Sequence, residues 1–292
     1  MDTLADAVAH DLGAAVVGAA RLGGGDVAEA HRMELADGRT VFAKTHRSPP
    51  AGFFITEAAG LEQLRAPNVI PVPHVLAASD GDDDSPPRLV LEWIDEGGRS
   101  TRDNEREFGA DLARLHGAGT NCFGREDHRT TGSLGLPNDP CENWADFYAE
   151  RRLGPLTRIA HDRASLPTAT IDALERTIGR LRELGVPVEP PARLHGDLWA
   201  GNRVIDRPGR SWLIDPAFHG GHREFDLAMM RLFGGFGAAC FDGYDAEWPL
   251  ADGWERRVPV HQLAPLVVHA IKFGGGYVDA TQRALDAVDR LG

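Results

Sequence analysis

The sequence predicts a two-lobed α+β fold, in which an antiparallel sheet and a helix precede a mainly helical lobe. Apolar and polar residues alternate over residues 27–35, which is the periodicity of a strand. Asp37 and Gly38 then signal a tight hairpin, so residues 40–44 are expected to form the returning strand. Apolar residues recur at helical spacing in residues 101–116 and in most of the chain beyond them.

The boundary between the two lobes is predicted at the end of a strand over residues 88–94. This strand is an apolar run, and the chain then loosens into Gly97 and Gly98, which suits a hinge. We therefore assign residues 1–94 to an N-terminal lobe and residues 95–292 to a C-terminal lobe.

A carboxylate lies on the apolar face of the helix predicted over residues 53–64. Glu57 is in phase with the apolar residues of this segment, and a buried carboxylate is costly unless a cation meets it. Lys44, at the end of the hairpin, is the natural partner. A surface Lys and a Glu at a helix edge are the alternative.

The other predicted elements complete an α-rich chain. They are a helix over 3–12, a strand over 69–79, and helices over 144–156, 171–184, 222–233, 258–273 and 278–291. Residues 117–142 are rich in Gly, Asn, Pro and Thr and predict a long irregular segment, which in a compact domain is usually functional or disordered.

Composition and charge exclude several classes of protein. The 292 residues include 31 basic and 44 acidic side chains, a net charge of −13, which argues against nucleic acid or an anionic membrane as a partner. Cys122, Cys141 and Cys240 form no C-x-x-C pair, so free thiols in a reducing compartment are expected. The start of the sequence lacks the pattern of a signal peptide, and residues 263–271 are too short to span a bilayer. We therefore expect a cytoplasmic protein.

One stretch carries the polar residues that indicate chemistry. His195, Gly196 and Asp197 are followed by Asn202, and Asp215 ends a short apolar run thirteen residues later. HGD alone is more often a loop turn, but the combined Asp, Asn and Asp pattern at this spacing is typical of kinases.

Phosphoryl transfer from ATP needs few groups, because positioning and metal ions stabilise the transition state. Asp197 fits the carboxylate that takes the proton of an attacking hydroxyl. Asn202 and Asp215 fit the amide oxygen and carboxylate that hold Mg²⁺ against the phosphates. Lys44, paired with Glu57, fits the lysine that contacts those phosphates.

Two further segments are candidate nucleotide contacts. The glycines Gly23, Gly24 and Gly25 allow backbone amides to approach a phosphate, although a flexible turn would look the same. Backbone groups of Glu92, Trp93 and Ile94, at the predicted hinge, are expected to bond the adenine edge.

The acceptor is predicted to be a small molecule. Protein kinases usually show H-R-D, D-F-G and a long segment ending in A-P-E. Here Gly196 replaces the Arg, Asp215 begins D-P-A, and a helix follows within about ten residues, so no A-P-E segment fits.

Much of the chain resembles the fructosamine (ketosamine) kinases. The resemblance rests on these segments: GGGDVAEAHRMEL, VFAKTH, FFITEAAGLEQLR, VPHVLA, LVLEWID, NWADFYAERRL, LHGDLWAGN, IDPAFHGGHREFDLAMMRLFGGF and HQLAPLVVHAIKFGGGYV. It implies a protein-kinase-like fold and ATP-dependent phosphorylation of the sugar 3-hydroxyl of ketosamines, the adducts of sugars with amines. In the family this step labilises the adduct and so repairs glycation.

The resemblance also implies roles by position. Asp197 would be the base, Asn202 and Asp215 the Mg²⁺ ligands, and Lys44 the phosphate-binding lysine. Trp199, inside the catalytic loop, is a candidate contact for the sugar or its amine, with bracing of the loop as the alternative. His219 is a second candidate substrate contact, at a position where the family is expected to carry aromatic or Tyr-rich sequence.

Three residues in or near this stretch are also considered for other roles. Asp226 is predicted to hold the backbone of the catalytic loop. His219 and His222 lack a third ligand in the sequence and predict no metal site.

Two other functions remain open. One is a kinase for another small hydroxyl substrate, such as an aminoglycoside or choline, since an acidic protein also suits those cationic acceptors. The other is a nucleotide-binding pseudokinase, which the complete set of Lys, Glu, Asp, Asn and Asp residues disfavours.

Overall fold

Five antiparallel strands form the N-terminal sheet of the computed structural model, which describes residues 3–23 and 28–291. In chain order they are β1 (Val16–Arg21), β2 (Glu29–Leu35), β3 (Thr40–Thr45), β4 (Val75–Ser79) and β5 (Arg88–Glu92). Their order across the sheet is β1-β2-β3-β5-β4, so β3 lies at the centre and carries Lys44.

The predicted hairpin is confirmed as β2 and β3, but two strand predictions were incomplete. Strand β1 was not predicted, because its sequence VVGAAR has small residues without clear alternation. Strand β4 begins at Val75 rather than at residue 69, since Pro71 and Pro73 lack the N–H groups that a ladder needs.

Two helices pack on this sheet. Helix α1 (Leu4–Leu12) begins with a capping box between Thr3 and Asp6, and its Val8 joins a small core with residues of β2, β3 and β5. Helix α2 (Phe53–Arg65) carries Glu57 and buries Phe54 in a second core. Both helices match their predictions to within two residues.

The rest of the chain is mainly helical. The helices are α3 (Arg102–Gly117), α4 (Trp144–Phe147), a π-helical turn (Tyr148–Leu153), α5 (Gly154–Asp162), α6 (Thr168–Gly179), α7 (Glu224–Phe233), α8 (Ala238–Glu247), α9 (Trp254–Phe273) and α10 (Gly276–Asp289). Helix α8 was not predicted, because AACFDGYDAE shows no apolar stripe. Residues 118–143, all of them described, form no helix or multi-residue strand, as expected.

Four short strands support the catalytic stretch. Strand β6 (Ala192–Leu194) pairs with β9 (His219–Gly221), and β7 (Arg203–Ile205) pairs with β8 (Ser211–Leu213). The catalytic loop therefore runs between β6 and β7, and Asp215 follows β8.

One apolar core spans both sides of the predicted lobe boundary. It contains Phe54 and Leu61 of α2 together with Phe108 of α3, Leu198 of the catalytic loop and Leu227 of α7. A separate core lies within the C-terminal helices. Burial of this shared core fixes α2 against the elements that carry the catalytic stretch.

A buried tyrosine provides hydrogen bonds to backbone groups of α9 next to a proline. Pro265 lacks the N–H that would bond the carbonyl of His261 four residues earlier. The Tyr148 hydroxyl donates to Val260 O at 2.8 Å and lies 3.1 Å from His261 O, and it accepts the Ala264 N–H at 3.1 Å. A proline is thereby tolerated inside a twenty-residue helix.

Helices α3 and α8 approach so closely that a glycine is required between them. A Cβ at Gly109 would lie 1.8 Å from the carbonyl oxygen of Cys240, whereas at Gly117 it would lie 4.0 Å from the Trp248 ring.

We expect Gly109→Ala to lower the free energy of unfolding by about 2–3 kcal/mol, because two backbones must separate. Gly117→Ala, the matched control, should change it by less than about 0.5 kcal/mol. Denaturant unfolding of both variants measures this, and equal stabilities would contradict the packing described.

Candidate active site

The catalytic loop begins with a turn that only glycine fits. Gly196 has a φ of 82°, and a Cβ there would lie 2.1 Å from the carbonyl oxygen of Ala217. This left-handed turn lets the loop pack directly on the segment after Asp215. The glycine found in place of the protein-kinase arginine is thus a steric requirement here.

A buried carboxylate holds this turn in place. Asp226 of α7 accepts the backbone N–H of His195 at 2.7 Å and that of Gly196 at 2.9 Å. The structure confirms the predicted bonding of Asp226 to the loop backbone. His116 of α3 lies 3.3 Å from the same carboxylate and 2.8 Å from the Tyr244 hydroxyl of α8. A chain of contacts therefore connects α7, α3 and α8.

Asp197 follows Gly196 in the loop and lies next to Asn202 and near Asp215, and we call the region between these residues the cleft. Burial raises the pKa of its carboxyl to about 6, and the neighbouring Asp215 carboxylate acts in the same direction. The Asn202 side-chain amide opposes this shift, donating to Asp197 Oδ2 at 3.2 Å and to its backbone carbonyl at 2.8 Å. The carboxylate is therefore oriented and has a pKa close to neutrality, as a general base requires.

Lys44 joins the N-terminal sheet to the catalytic stretch. Its Nζ lies 2.5 Å from Glu57 Oε1 and 2.9 Å from Asp215 Oδ1, and its side chain is buried. Burial disfavours the Lys44 cation, but the two carboxylates outweigh it and raise the pKa, so the ammonium stays charged. The structure brings Lys44 and Glu57 together as predicted, and it adds Asp215 as a second partner.

Asp215 is ionised and accessible. Burial opposes its ionisation, but the Lys44 ammonium lowers the pKa below the usual range. Its φ of 52° is left-handed, which aspartate tolerates better than most residues. Because its side chain is 47% exposed, a cation can reach it from the cleft.

Asn202 and Asp215 fit a magnesium site. The Asn202 Nδ2 donates to Asp197, which leaves the amide oxygen as the atom open to a cation. The Ile214 N–H donates to the backbone carbonyl oxygen of Asn202 at 3.1 Å, and this bond holds the two segments side by side. Amide and carboxylate oxygens are the ligands that Mg²⁺ prefers, so the donor set suits this ion.

The structure places the predicted nucleotide contacts only in part. Gly23 is exposed in the connection between β1 and β2, whereas Gly24 and Gly25 lie outside the described residues. At the hinge, the Glu92 N–H already donates to His74 O at 2.9 Å, and Ile94 O accepts from Glu96 N at 3.0 Å.

Trp199 both braces the loop and remains partly exposed. A Cβ at Gly201 would lie 2.2 Å from the Trp199 ring, so the indole lies on the backbone of its own loop. It also makes an edge contact with Phe233, at 6.5 Å between centroids. The side chain is nonetheless 42% exposed, which leaves it available to an acceptor.

Sequence reasoning missed an aromatic corner beside Trp199. Phe233 lies 4.8 Å from His269, which in turn lies 5.5 Å from Phe273 and 4.9 Å from Tyr277, all between ring centroids. We call these four residues the aromatic corner. They come from the ends of α7 and α9 and the start of α10, so only tertiary packing unites them. The three glycines that follow Phe273 were the one available sign of a special turn.

The structure does not support His219 as a substrate contact. This side chain is 1% exposed and stacks on Phe147 at 5.3 Å between centroids. Burial lowers the pKa of its imidazole to about 3, so the ring is neutral. The prediction was wrong in its geometry because β9 turns His219 into the C-terminal core rather than toward the cleft.

A second polar cluster lies away from the cleft, where His222, Glu224 and His261 bring candidate ligand atoms within 4.8 Å of one another. The Arg257 guanidinium bonds Glu224, with Nη2 to Oε1 at 2.5 Å, and thus supplies the cation already. His222 uses both ring nitrogens, one toward Pro187 O and one toward the Glu224 N–H. These contacts describe a structural network.

Across residues 3–23 and 28–291, no helix combines the length and hydropathy needed to cross a bilayer.

Comparison with known proteins agrees with this geometry. The family model for fructosamine kinase matches residues 1–290. A protein of Synechocystis described as a "probable ketoamine kinase" is 36% identical over 262 residues, covering 88% of this chain and 86% of the relative. The chloroplastic protein-ribulosamine 3-kinase of Arabidopsis thaliana is 33% identical over 274 residues, covering 92% and 82%.

Solved structures give the same result. A crystal structure from Thermobifida fusca, provisionally assigned as a fructosamine-3-kinase, has a TM-score of 0.88 and 39% identity over 99% of both chains. An aminoglycoside phosphotransferase, at 14% identity, has a TM-score of 0.69 over 100% of this chain and 99% of its own, and so shares the kinase-like fold. The chain therefore belongs to the fructosamine kinase family and is an ATP-dependent phosphotransferase.

Proposed function

We propose that this protein transfers the γ-phosphoryl group of ATP to the sugar 3-hydroxyl of ketosamines, and so initiates deglycation. The proposal rests on two contacts, of Lys44 with Asp215 and of Asn202 with Asp197. The hydrogen bond from the Ile214 N–H to the backbone carbonyl of Asn202 holds the two segments together. Membership of the fructosamine kinase family supports the same substrate class. The ribulosamine 3-kinase name of the Arabidopsis relative supports the position of phosphorylation.

Asp197 acts as the base in this proposal. Its carboxylate takes the proton of the 3-hydroxyl as that oxygen bonds to the γ-phosphorus. The bond between the γ-phosphorus and the β–γ bridging oxygen breaks, and ADP leaves with its electron pair. Asn202 keeps the carboxylate oriented through its side-chain amide. Lys44 neutralises charge on the phosphates while Glu57 holds its ammonium in position.

Magnesium would be held by Asn202 and Asp215. When bound, it supplies positive charge that stabilises the phosphates in the transition state. The exposed Asp215 side chain and the open Asn202 amide oxygen support these assignments.

The remaining assignments complete a nucleotide and acceptor site. Gly23, Gly24 and Gly25 cover the phosphates, and backbone groups of residues 92–94 bond adenine at a hinge between lobes 1–94 and 95–292. Trp199 contacts the ketosamine. The net charge of −13 supports a partner other than nucleic acid, and the free thiols support a cytoplasmic location.

A substrate panel tests the proposal. ADP release is measured with Mg²⁺ and ATP against ribulosyl-lysine, fructosyl-lysine, an aminoglycoside and choline. We expect turnover on a ketosamine and none on the other two acceptors. Turnover only on the aminoglycoside or choline would discard the ketosamine assignment, and ATP binding without any turnover would favour a pseudokinase.

We predict that Asp197→Ala lowers kcat by about 10²–10⁴, the usual contribution of a general base. ATP affinity should stay within about threefold, because Asp197 is assigned to the acceptor rather than to the nucleotide. Steady-state kinetics and nucleotide titration measure both quantities. Asp172→Ala, an exposed aspartate of α6, is the control and should keep full activity. Near-normal kcat in the Asp197 variant would remove it from this role.

The pH dependence follows from the raised pKa of Asp197. A base must be ionised, so activity is present above its pKa and is lost as the pH falls through about 6. We expect kcat/KM for the ketosamine, measured at saturating ATP, to fall about tenfold per pH unit below that value. An aspartate with its usual pKa near 3.8 would instead keep activity constant down to about pH 4.5. A flat profile to that pH would contradict the assigned environment.

A further inference from the structure

The chain contains only two lysines, Lys44 and Lys272, and its other 29 basic residues are arginines. Lys44 lies in the active site. Lys272 is exposed in the last turn of α9, next to Phe273 of the aromatic corner. Lysine differs from arginine in presenting a compact point charge on a flexible stem.

Ring contacts connect Phe273, the neighbour of Lys272 in sequence, to Trp199 of the catalytic loop. Phe273 lies 5.5 Å from His269, and His269 lies 4.8 Å from Phe233. Phe233 touches Trp199, which is two residues beyond Asp197. Phe273 is 52% exposed, so this surface is open to a ligand.

The ammonium of Lys272 has no carboxylate partner within 4 Å in the part of the chain that the structure describes. Arg231, on the neighbouring α7, pairs instead with Glu255 at 2.7 Å. The charge of Lys272 also acts on Asp197, where it counters part of the rise in pKa that burial causes. A cation without a carboxylate partner among the described residues therefore lies at the end of α9, beside the aromatic corner and close enough to Asp197 to act on its carboxylate.

We propose that Lys272 selects ketosamines that carry a carboxylate close to the glycated amine. The inference rests on the proposed function and deepens it. A carboxylate at this place would pair with Lys272 while the sugar hydroxyl meets Asp197. The phosphates already have Lys44 and the magnesium ligands, which leaves Lys272 for the acceptor. The carboxylate belongs either to a glycated amino acid or to an acidic side chain next to a glycated residue.

A purely structural role for Lys272 makes a different prediction. A cation in the last turn of a helix stabilises the helix dipole. Its loss would then lower stability and affect all acceptors equally. Selectivity between acceptors separates the two roles.

The experiment compares adducts that differ in charge. Ribulosyl-glycine, ribulosyl-glycinamide and the ribulosyl adduct of Gly-Asp-amide are assayed with ATP and Mg²⁺. We expect the unmodified protein to prefer ribulosyl-glycine over ribulosyl-glycinamide by about tenfold in kcat/KM, the range of one charge-assisted contact. A preference for the Gly-Asp adduct instead would assign the carboxylate to a neighbouring side chain.

Variants then assign the preference to one residue. Lys272→Gln should reduce it to less than about twofold and Lys272→Glu should reverse it, with KM for ATP and the melting temperature unchanged. Arg283→Gln, an exposed cation on α10, is the matched control and should keep the preference. Equal losses on all adducts, an effect on ATP alone, or no preference in the unmodified protein would overturn the inference. Turnover of no adduct by the unmodified protein would overturn the proposed function itself.

Discussion

The buried ammonium of Lys44 is the interaction on which the rest of the site depends. It lies between Glu57 of α2 and Asp215 after β8, so one cation connects the sheet, its helix and the catalytic stretch. Removing either carboxylate would leave a buried charge poorly compensated, which is costly in a low-dielectric interior. The same charge keeps Asp215 ionised, as the proposed magnesium ligand must be. The ion pairs of Lys44 therefore serve both the packing of the fold and the proposed chemistry.

The catalytic loop is held in a different way, by hydrogen bonds from its backbone N–H groups and by close contact between its backbone and that of Ala217. Asp226 accepts two loop N–H groups, and Gly196 lets the loop lie against Ala217 without a side chain between them. Helix α7 and the segment after Asp215 therefore both hold the loop. Asp197 and Asn202 gain fixed positions without depending on the substrate, which is the preorganisation that positioning catalysis needs.

Local patterns predicted the elements that carry chemistry, while features set by distant packing were missed. The β2–β3 hairpin follows from alternation and Asp37-Gly38, and α2 with its buried Glu57 follows from helical phase. The aromatic corner could not be predicted, because its rings come from three helices. Strand β1 and helix α8 have weak periodicity and form because neighbours bury them. The prediction of His219 as a substrate contact was wrong for a related reason, because nearness to Asp215 in sequence did not set the direction of its side chain.

In the proposed function, a hydroxyl of the ketosamine sugar meets Asp197 while the amine end lies toward Trp199 and the aromatic corner. That orientation fixes which oxygen is phosphorylated. The most direct measurement is therefore ³¹P and ¹³C NMR of the product formed from ATP and a ribulosyl-amine. We expect phosphorus coupling at C3 of the sugar, followed by release of the free amine. Phosphate at C4 or C5, or ATP hydrolysis without a sugar phosphate, would contradict the proposed function.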